Sequence, residues 1–333
     1  MHDVRATSSG KASGHLTDYL ALTRIGHWIK HLFIVPGVVL AALLHERSLW
    51  DIGAALMWGF LSAGLVASAN YVLNEWLDRD FDRFHPRKSG RPAVVRELSP
   101  RLMLTEYVVL LVVGLSAATR VSTLFLLCVI AFAVAAWAYN IPPLRTKDVA
   151  YLDVLTESVN NTLRLTMGWA MVDGHTLPPG SLMLAFWTAG AFLMSVKRLA
   201  EMRSVVATAG HRDLHRYRRS FRTYSETSLT VSAMVYAFLT AFGIAVFFVK
   251  YRIEYLLALP VLTWLFGEYL VLGLRPDSAA QEPERLWREP RLLLLTILLA
   301  AVLLLTTWID VPLLDRLTDP HYIELPFPSG SRP

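Results

Sequence analysis

The strongest chemical pattern in the sequence is a row of acidic and amide side chains between residues 74 and 82. Asn74, Asp78 and Asp82 are spaced four residues apart, so they share one face if the chain there is helical, and Glu75 lies beside them. Such charges repel one another unless they share a cation. Mg²⁺ suits these ligands, since it commonly uses one or two carboxylates together with water and substrate phosphates. The row therefore predicts a Mg²⁺ site that would bind substrate phosphates, with Asp78 and Asp82 as candidate catalytic carboxylates, although an acidic face paired only with arginines is the alternative.

A second row of polar side chains interrupts the apolar stretch at 151–172, at spacings of four, four and three residues. Polar groups in such a stretch are costly, and they usually face a cavity or one another. We therefore expect this row to bind substrate, although an internal seam of salt bridges is the alternative. Arg145 and Lys147, just before the stretch, could meet a phosphate. The four members of the row are Asp153, Glu157, Asn161 and Arg164.

A third group follows the apolar stretch that ends near residue 197. It contains Lys197, Arg198 and Glu201, and Arg219 and Tyr224 follow further along the same polar connection. For the individual arginines, ordinary positive loop charge is the alternative. The sequence offers no zinc pattern, no Ser–His–Asp arrangement and no glycine-rich phosphate loop.

These groups must be positioned by elements that lie in a membrane. The chain has 333 residues, of which 54% are hydrophobic, and its mean hydropathy is +0.41. Its apolar runs reach the roughly 20 residues that cross a bilayer, and they recur along the whole chain. The sequence predicts an all-α integral membrane protein with about nine transmembrane helices in a bundle. We place these helices at residues 28–45, 52–74, 102–118, 121–139, 151–172, 181–197, 228–249, 252–273 and 291–309.

Lysine and arginine are distributed unevenly between the two sets of connections. Four connections carry 21 of them, namely residues 75–101, 140–150, 197–222 and 275–291. The opposite connections hold only Arg47, Arg120, Lys250 and Arg252. Because positive charge marks cytoplasmic loops, the N-terminus and the three polar groups are expected on the cytoplasmic side. In a membrane protein the net charge of +5 has this origin, and we expect no nucleic-acid partner.

The domain organisation follows from the same pattern. Residues 1–15 are small and polar, and they are expected to form a disordered cytoplasmic tail. Residues 16–310 are expected to form the transmembrane domain, and residues 311–333 an extracytoplasmic tail. The single cysteine, Cys128, lies in an apolar run and is expected to pack as a small hydrophobe.

One stretch of this sequence resembles a known family. Residues 74–92, NEWLDRDFDRFHPRKSGRP, resemble the first aspartate-rich motif of the UbiA superfamily, Asn-Asp-x-x-Asp-x-x-x-Asp, with Glu75 in place of an aspartate. Residues 24–36, which contain Lys30, and residues 139–153 also resemble the family. The resemblance implies a bundle around a central cavity capped by cytoplasmic loops, and a bacterial inner membrane as the location. It also implies Asn74, Glu75, Asp78 and Asp82 as Mg²⁺ ligands, with Lys30 and Arg91 among the substrate-binding residues.

The superfamily has branches with different substrates. Its prenyltransferases generally carry a second aspartate motif after the sixth span, whereas this chain has Lys197-Arg198-x-x-Glu201, followed by Arg219 and Tyr224. That pattern resembles the polyprenyl-phosphate phosphoribosyltransferase branch. The resemblance implies Lys197 as a catalytic cation and Arg198, Glu201, Arg219 and Tyr224 as substrate ligands. The first hypothesis is therefore transfer of phosphoribose from phosphoribosyl diphosphate to a polyprenyl phosphate. The second is transfer of a prenyl group from a prenyl diphosphate to an aromatic or lipid acceptor. A transporter would place its acids nearer the midplane, and assembly into a homo-oligomer is left open.

Overall fold

The computed structural model describes residues 12–48, 50–85, 87–275, 278–281, 286 and 288–314. Helix dominates this part of the chain, and the all-α prediction is confirmed. Two-residue strands, β1 (Ala12–Ser13) and β2 (Arg96–Glu97), pair in parallel beside it. The helices are α1 (Leu16–Leu22), α2 (Val35–Leu44), α3 (Gly53–Asp82), α4 (Pro92–Val95), α5 (Pro100–Ala118), α6 (Thr123–Asn140), α7 (Leu152–Val172), α8 (Gly180–Tyr217), α9 (Glu226–Tyr251), α10 (Leu259–Gly273) and α11 (Pro290–Trp308). Single-turn or longer 3₁₀ segments lie at Ile25–Ile34, Thr146–Asp148, Arg219–Arg222, Ile253–Ala258 and Ala279–Gln281.

Eight helical segments in the described residues are long and apolar enough to cross a membrane. The ninth predicted segment is α7, which has 21 residues but carries charged side chains such as Glu157 and Arg164. Together these segments make the chain an integral, multi-pass membrane protein. The eight are Leu16–Leu44, Gly53–Asp82, Pro100–Ala118, Thr123–Asn140, Gly180–Thr208, Glu226–Tyr251, Ile253–Gly273 and Pro290–Trp308.

The polar helix α7 lies inside the bundle, where it packs against α2, α6 and α8. Its crossing with α2 is very close. A Cβ atom on Gly37 would lie 2.0 Å from the carbonyl oxygen of Leu165, and one on Gly168 would lie 2.1 Å from the carbonyl oxygen of Ile34. Only glycine permits such an approach of two helix backbones. The contact therefore fixes the depth at which α7 presents its polar row.

Two helices extend beyond their predicted spans. α3 continues through residue 82 and so carries the whole acidic row on regular helix, as the sequence predicts. α8 runs for 38 residues, whereas the apolar pattern predicts a helix over only 181–197. Its polar second half stays helical up to Gly210, where a φ of 81° breaks the regular geometry.

The basic connections meet at one end of the bundle. The loop after α6 contacts the end of α3, since Arg145 bonds to Asp78. The loop after α3 contacts α8 through Lys88 and Glu201, whose atoms are 3.2 Å apart. Among the described residues these contacts bring together three of the four predicted basic connections, namely residues 75–101, 140–150 and 197–222. The two predicted tails lie largely outside the described residues, which exclude residues 1–11 and 315–333.

Candidate active site

The predicted row of Asn74, Asp78 and Asp82 occupies one face of α3 at the end where the basic loops meet. Asp78 accepts hydrogen bonds from Lys147 and from Nη2 of Arg145, the latter at 3.1 Å. Asn140 connects the row to Lys147: its Oδ1 accepts from Asn74 Nδ2 at 2.6 Å and from Lys147 Nζ at 2.7 Å. The end of α6 and the loop after it therefore meet α3 at Asp78.

Asp82 lies one turn beyond Asp78 and is buried, with 2% of its surface exposed. Its carboxylate is ion-paired with Arg91, which stands just before α4. A small polar cavity opens between these groups. Its lining combines three acids, three cations and two aromatic rings, namely Asp78, Asp82, Asp148, Arg145, Lys147, Arg218, Phe81 and Tyr217.

Glu75 is not brought to this cavity, in contrast to its predicted role as a metal ligand. It is buried, and it pairs with Arg24, whose Nε lies 3.2 Å from Oε2. The backbone N–H of Ala93 donates to its other oxygen at 3.4 Å. A helix turns by about 100° per residue, so a side chain next to Asn74 points away from the row. Glu75 instead ties the N-terminal segment and α4 to α3.

The remaining groups fit a divalent cation of the kind that the sequence predicts. Asp78 and Asp82 face one cavity from successive turns, and each carboxylate is neutralised there by a cation of the protein. Within the described residues no three His, Cys, Asp or Glu side chains converge on one point. Two carboxylates, together with the amide oxygen of Asn74, are enough for Mg²⁺, which keeps positions for water and substrate phosphates.

The cations beside Asp78 are positioned to meet phosphate oxygens. Burial of its ammonium group and the nearby charge of Arg145 lower the pKa of Lys147 to about 8, although Asp78 opposes the shift. Arg145 is fixed further by a 3.2 Å bond from its Nε to Asp148 and a 3.0 Å bond to the carbonyl oxygen of Asn140. Arg218 completes the trio on the other side of the cavity.

Asp153 has no exposed surface, and the structure surrounds it with hydrogen-bond donors. Arg198 Nε donates at 3.1 Å, Ser220 Oγ at 3.2 Å and the hydroxyl of Tyr224 at 2.6 Å. Arg218 adds a longer contact of 3.5 Å. Asp153 therefore joins α7 to α8 and to the segment after α8. This arrangement matches the salt-bridged seam that was the alternative, and the predicted role of Asp153 in substrate binding stays a prediction.

Arg198 and Glu201 belong to the same buried network. The other guanidinium nitrogens of Arg198 donate to Glu201 at 2.6 Å and to the hydroxyl of Tyr139 at 3.0 Å. Glu201 also pairs with Lys88, and this carboxylate raises the pKa of Lys88 although burial alone would lower it. The predicted substrate contacts of Arg198 and Glu201 are therefore not available in this arrangement. Both side chains fix the position of the loops around the cavity.

Other predicted residues lie nearer the centre of the bundle. Lys197, Glu157 and Asn161 are half-buried, and none of them makes a hydrogen bond or ion pair with a described residue. Arg164 places its guanidinium 5.2 Å from the centre of the Phe132 ring. Lys30 lies near the Tyr71 ring, at 5.6 Å from its centre.

Arg219 stands apart from this central group. Its side chain is 60% exposed and lies 3.7 Å from Asp148 at the rim. Its predicted substrate contact therefore remains a prediction.

Several residues of the site are absent from the sequence-based assignment. Asn140 ends an otherwise apolar span, which is the one signal that could have identified it. Arg218 is one of many loop arginines, and Tyr139 and Tyr217 are aromatic residues at helix ends. Arg24, the partner of Glu75, is 51 positions away in the sequence. Only the fold brings these residues to the acidic row.

Comparison with known proteins agrees with this fold. A model of the UbiA prenyltransferase family matches residues 32–288. Among curated relatives, the uncharacterized protein y4nM of Sinorhizobium fredii is 30% identical over 179 residues, which are 53% of this chain and 33% of that protein. The chain thus spans about a third of this relative's length. Protoheme IX farnesyltransferase of Bacillus cereus is 28% identical over 216 residues, which are 61% of this chain and 68% of the enzyme.

Solved structures show the same architecture. The UbiA homolog from Archaeoglobus fulgidus, bound to GPP and Mg²⁺, superposes with a TM-score of 0.65 at 19% identity, covering 88% of this chain and all of that one. A digeranylgeranylglyceryl phosphate synthase gives a TM-score of 0.57 at 14% identity, covering 87% and 96% of the two chains. These structural matches show a shared fold. With the family match over more than half of its length, the chain belongs to the UbiA prenyltransferase family.

Proposed function

We propose that the protein transfers a prenyl group from a prenyl diphosphate to an acceptor in the membrane, with Mg²⁺ held by Asp78 and Asp82. The observation that carries this proposal is that three carboxylates and three cations line one cavity. The carboxylates suit a divalent cation, and the cations suit the oxygens of a diphosphate. Neither set alone would bind both parts of such a substrate.

The relatives support prenyl transfer over the phosphoribosyl transfer that the loop motif suggests. The Bacillus cereus relative is named protoheme IX farnesyltransferase. The Archaeoglobus fulgidus homolog is described with GPP or DMAPP and Mg²⁺. In addition, Arg198 and Glu201, on which the phosphoribosyl hypothesis depends, bind each other, and Arg198 also binds Asp153. Phosphoribosyl transfer therefore becomes the second hypothesis, and an experiment that compares the two donors distinguishes it from prenyl transfer.

Binding of the donor would exchange partners within the cavity. Asp78 is paired with Lys147 and Arg145. With Mg²⁺ held by Asp78 and Asp82, these two cations would be free to bind diphosphate oxygens, together with Arg218. Lys147 and Arg145 would thus exchange one anionic partner for another, which matters because an isolated buried charge is strongly unfavourable. The polyprenyl tail would lie among the apolar side chains of the bundle.

The protein then accelerates departure of the diphosphate. The bond between prenyl C1 and the bridging oxygen breaks, and that oxygen keeps the electron pair. Bound Mg²⁺ would supply charge stabilisation for this leaving group. Lys147, Arg145 and Arg218 stabilise the same developing charge by hydrogen bonds that are already oriented. An acceptor nucleophile forms the new bond to C1 and loses its proton, so no covalent intermediate with the protein is needed.

We infer further that residues 16–310 form the catalytic domain and that its active end faces the cytoplasm. The support for this orientation is the charge asymmetry of 21 against four Lys and Arg residues. Association into a homo-oligomer remains a prediction.

The test is a direct comparison of the two donors on the purified full chain. With Mg²⁺, prenyl diphosphates are incubated with aromatic and lipid acceptors, and phosphoribosyl diphosphate is incubated with polyprenyl phosphates. Released diphosphate and the transferred product are measured in both arms. The proposal expects Mg²⁺-dependent turnover with a prenyl diphosphate. Turnover only with phosphoribosyl diphosphate would reject it in favour of the second hypothesis.

Matched variants connect the activity to the cavity. Asp78→Asn and Asp82→Asn are each expected to remove turnover. Asp310→Asn is the control, because Asp310 lies at the opposite end and its side chain is 81% exposed. Equal activity of all three variants would show that the reaction takes place elsewhere.

A further inference from the structure

A second cavity, of about 420 Å³, lies on the side of α3 that faces away from the acidic row. Trp76 precedes Asp78 by two residues, and at about 100° per residue their side chains leave α3 in nearly opposite directions. The second cavity shares no lining residue with the cavity around Asp78, so the proposed function does not use it. Its lining includes Trp76, Arg79, Arg96, Glu97, Leu98 and Met103.

Two arginines from different segments stand at this cavity. Nη1 of Arg79, near the end of α3, donates to the carbonyl oxygen of Trp76 at 2.7 Å, and within the described residues no carboxylate pairs with this arginine. Arg96 of β2 lies 3.8 Å from Asp18, but its side chain is 38% exposed, so solvent weakens that pair. Among the described residues Glu97 is the one acid of the lining. The lining therefore carries a surplus of positive charge.

The inner wall of the second cavity is apolar. Ala93 and Met103 belong to a buried apolar cluster, and Trp76 and Leu98 pack against its edge. Tryptophan is common where a protein meets the headgroups of a bilayer, because its ring is apolar and its N–H is polar. A ligand that fits this cavity needs an apolar part beside its anion.

The cavity stands at the beginning of a lipid-facing row on α5. Pro100, the first residue of α5, belongs to the lining. Leu104, Val108 and Val112 follow at spacings of four residues, so they continue the same face, and all three are exposed. Since α5 is long and apolar enough to cross a membrane, these side chains would lie against acyl chains. The start of the row, and the cavity with it, would then lie at the level of the headgroups.

We propose that this cavity binds the headgroup of an anionic phospholipid, with the phosphate between Arg79 and Arg96. The acyl chains would follow Leu104, Val108 and Val112 along α5. A guanidinium group matches the oxygens of a phosphate and binds them by charge-assisted hydrogen bonds. A soluble phosphate would leave the apolar wall and the row on α5 without a partner, and a neutral lipid would leave the positive charge unmatched.

A lipid bound in this way would connect segments that are distant in the sequence. Arg79 belongs to α3 and Arg96 to β2, which pairs with β1 near the N-terminus. The backbone N–H of Ser99 adds a 2.8 Å hydrogen bond to the hydroxyl of Tyr19 on α1. The bound lipid would therefore stabilise the N-terminal segment against α3. Because it binds on the side away from Asp78, this inference does not depend on the reaction.

The experiment titrates the full chain, purified in a neutral detergent and freed of lipid, with three probes. Phosphatidylglycerol carries a phosphate and a net negative charge. Phosphatidylcholine of the same acyl chains carries the phosphate but no net charge, and glycerol 3-phosphate carries the phosphate without acyl chains. Native mass spectrometry measures the bound fraction of each probe, and thermal unfolding measures the shift in Tm.

The expected result is that phosphatidylglycerol binds about ten-fold or more tightly than phosphatidylcholine and raises Tm, whereas glycerol 3-phosphate does neither. Arg79→Gln and Arg96→Gln should each weaken phosphatidylglycerol binding by about ten-fold, as expected for a lost hydrogen bond to a charged group. The two arginines lie on different segments, so each variant tests the site if the other fails to fold. Arg101→Gln is the matched control, because Arg101 is exposed in the same basic connection but lies outside the lining.

Three results would overturn the inference. Equal binding of the two lipids, or an equal loss in Arg101→Gln, would show only a general attraction to positive charge. Glycerol 3-phosphate that competes as well as phosphatidylglycerol would make the cavity a site for a soluble phosphate. Unchanged phosphatidylglycerol binding in both Arg79→Gln and Arg96→Gln would place the lipid elsewhere. None of these measurements needs Mg²⁺ or a prenyl donor, so their outcome is separate from that of the proposed function.

Discussion

Replacing Asp153 by asparagine tests whether this residue holds the site together or binds substrate. The carboxylate has no exposed surface and accepts from Arg198, Ser220 and Tyr224 at 3.2 Å or less. Its main ionic partner, Arg198, is only 2% exposed. Solvent therefore screens the pair very little.

The magnitude follows from this burial. Removing one partner of a buried ion pair costs about 3–5 kcal/mol, because the other charge is left uncompensated. At about 2 °C per kcal/mol for a chain of this size, Asp153→Asn should lower Tm by about 6–10 °C. The segment Arg219–Arg222 should loosen at the same time, because Ser220 and Tyr224 lose the charge that orders them.

The assay is thermal unfolding of the purified protein in detergent, followed by limited proteolysis near residue 220. Asp310→Asn is the control, since its exposed pair with Arg252 contributes little in water. An unchanged Tm combined with a large rise in the donor KM would refute the reasoning. Asp153 would then be a substrate ligand, as the spacing of the polar row on α7 suggests.

Three further predictions concern the cavity, the acidic row and the orientation. Lys147→Met should raise the KM for the prenyl diphosphate by about 10- to 100-fold, as expected for a lost charge-assisted hydrogen bond; steady-state kinetics measure it, and an unchanged KM would exclude a donor contact. The Glu75→Gln variant should bind Mg²⁺ with unchanged affinity but unfold more easily, because the Glu75 carboxylate binds Arg24. A titration in which this variant loses Mg²⁺ affinity would show that Glu75 is a metal ligand. In a Cys128→Ala background, Gly90→Cys should react with an impermeant maleimide only in inverted vesicles and Arg120→Cys only in intact cells, whereas the reverse pattern would invert the topology.

The acidic row was predictable because it depends on local geometry alone. A spacing of four residues places Asn74, Asp78 and Asp82 on one helical face wherever the helix is continuous. The same geometry excludes Glu75 from that face. Its predicted role as a metal ligand came from the resemblance to a family motif. Its partner Arg24 could not be inferred, because the pair is formed by packing between distant segments.

The role of each cation was less predictable. Arg198 and Lys197 are neighbours in one basic motif, and both are predicted from the sequence to act in the site. In the fold, Arg198 is occupied by Asp153 and Glu201, whereas Lys197 makes no ion pair with a described residue. Which cation stays available depends on the crossing of α7 and α8, and no local pattern encodes that crossing.

The positions of the helices were predictable from the sequence, whereas some of their ends were not. Apolar runs located the spans, since a bilayer requires length and low charge. They underestimated α8, which continues as a polar helix to Gly210 and beyond. Helical hydrogen bonding continues wherever side chains tolerate it, so the end of the apolar run is not the end of the helix.

The central claim is tested most directly by an experimental structure with Mg²⁺ and an unreactive prenyl diphosphate analogue. We predict a metal bonded to oxygens of Asp78 and Asp82 at about 2.0–2.1 Å, with Lys147 moved from Asp78 to the diphosphate. A metal bound away from these two carboxylates, or a diphosphate held while Lys147 remains on Asp78, would contradict this account.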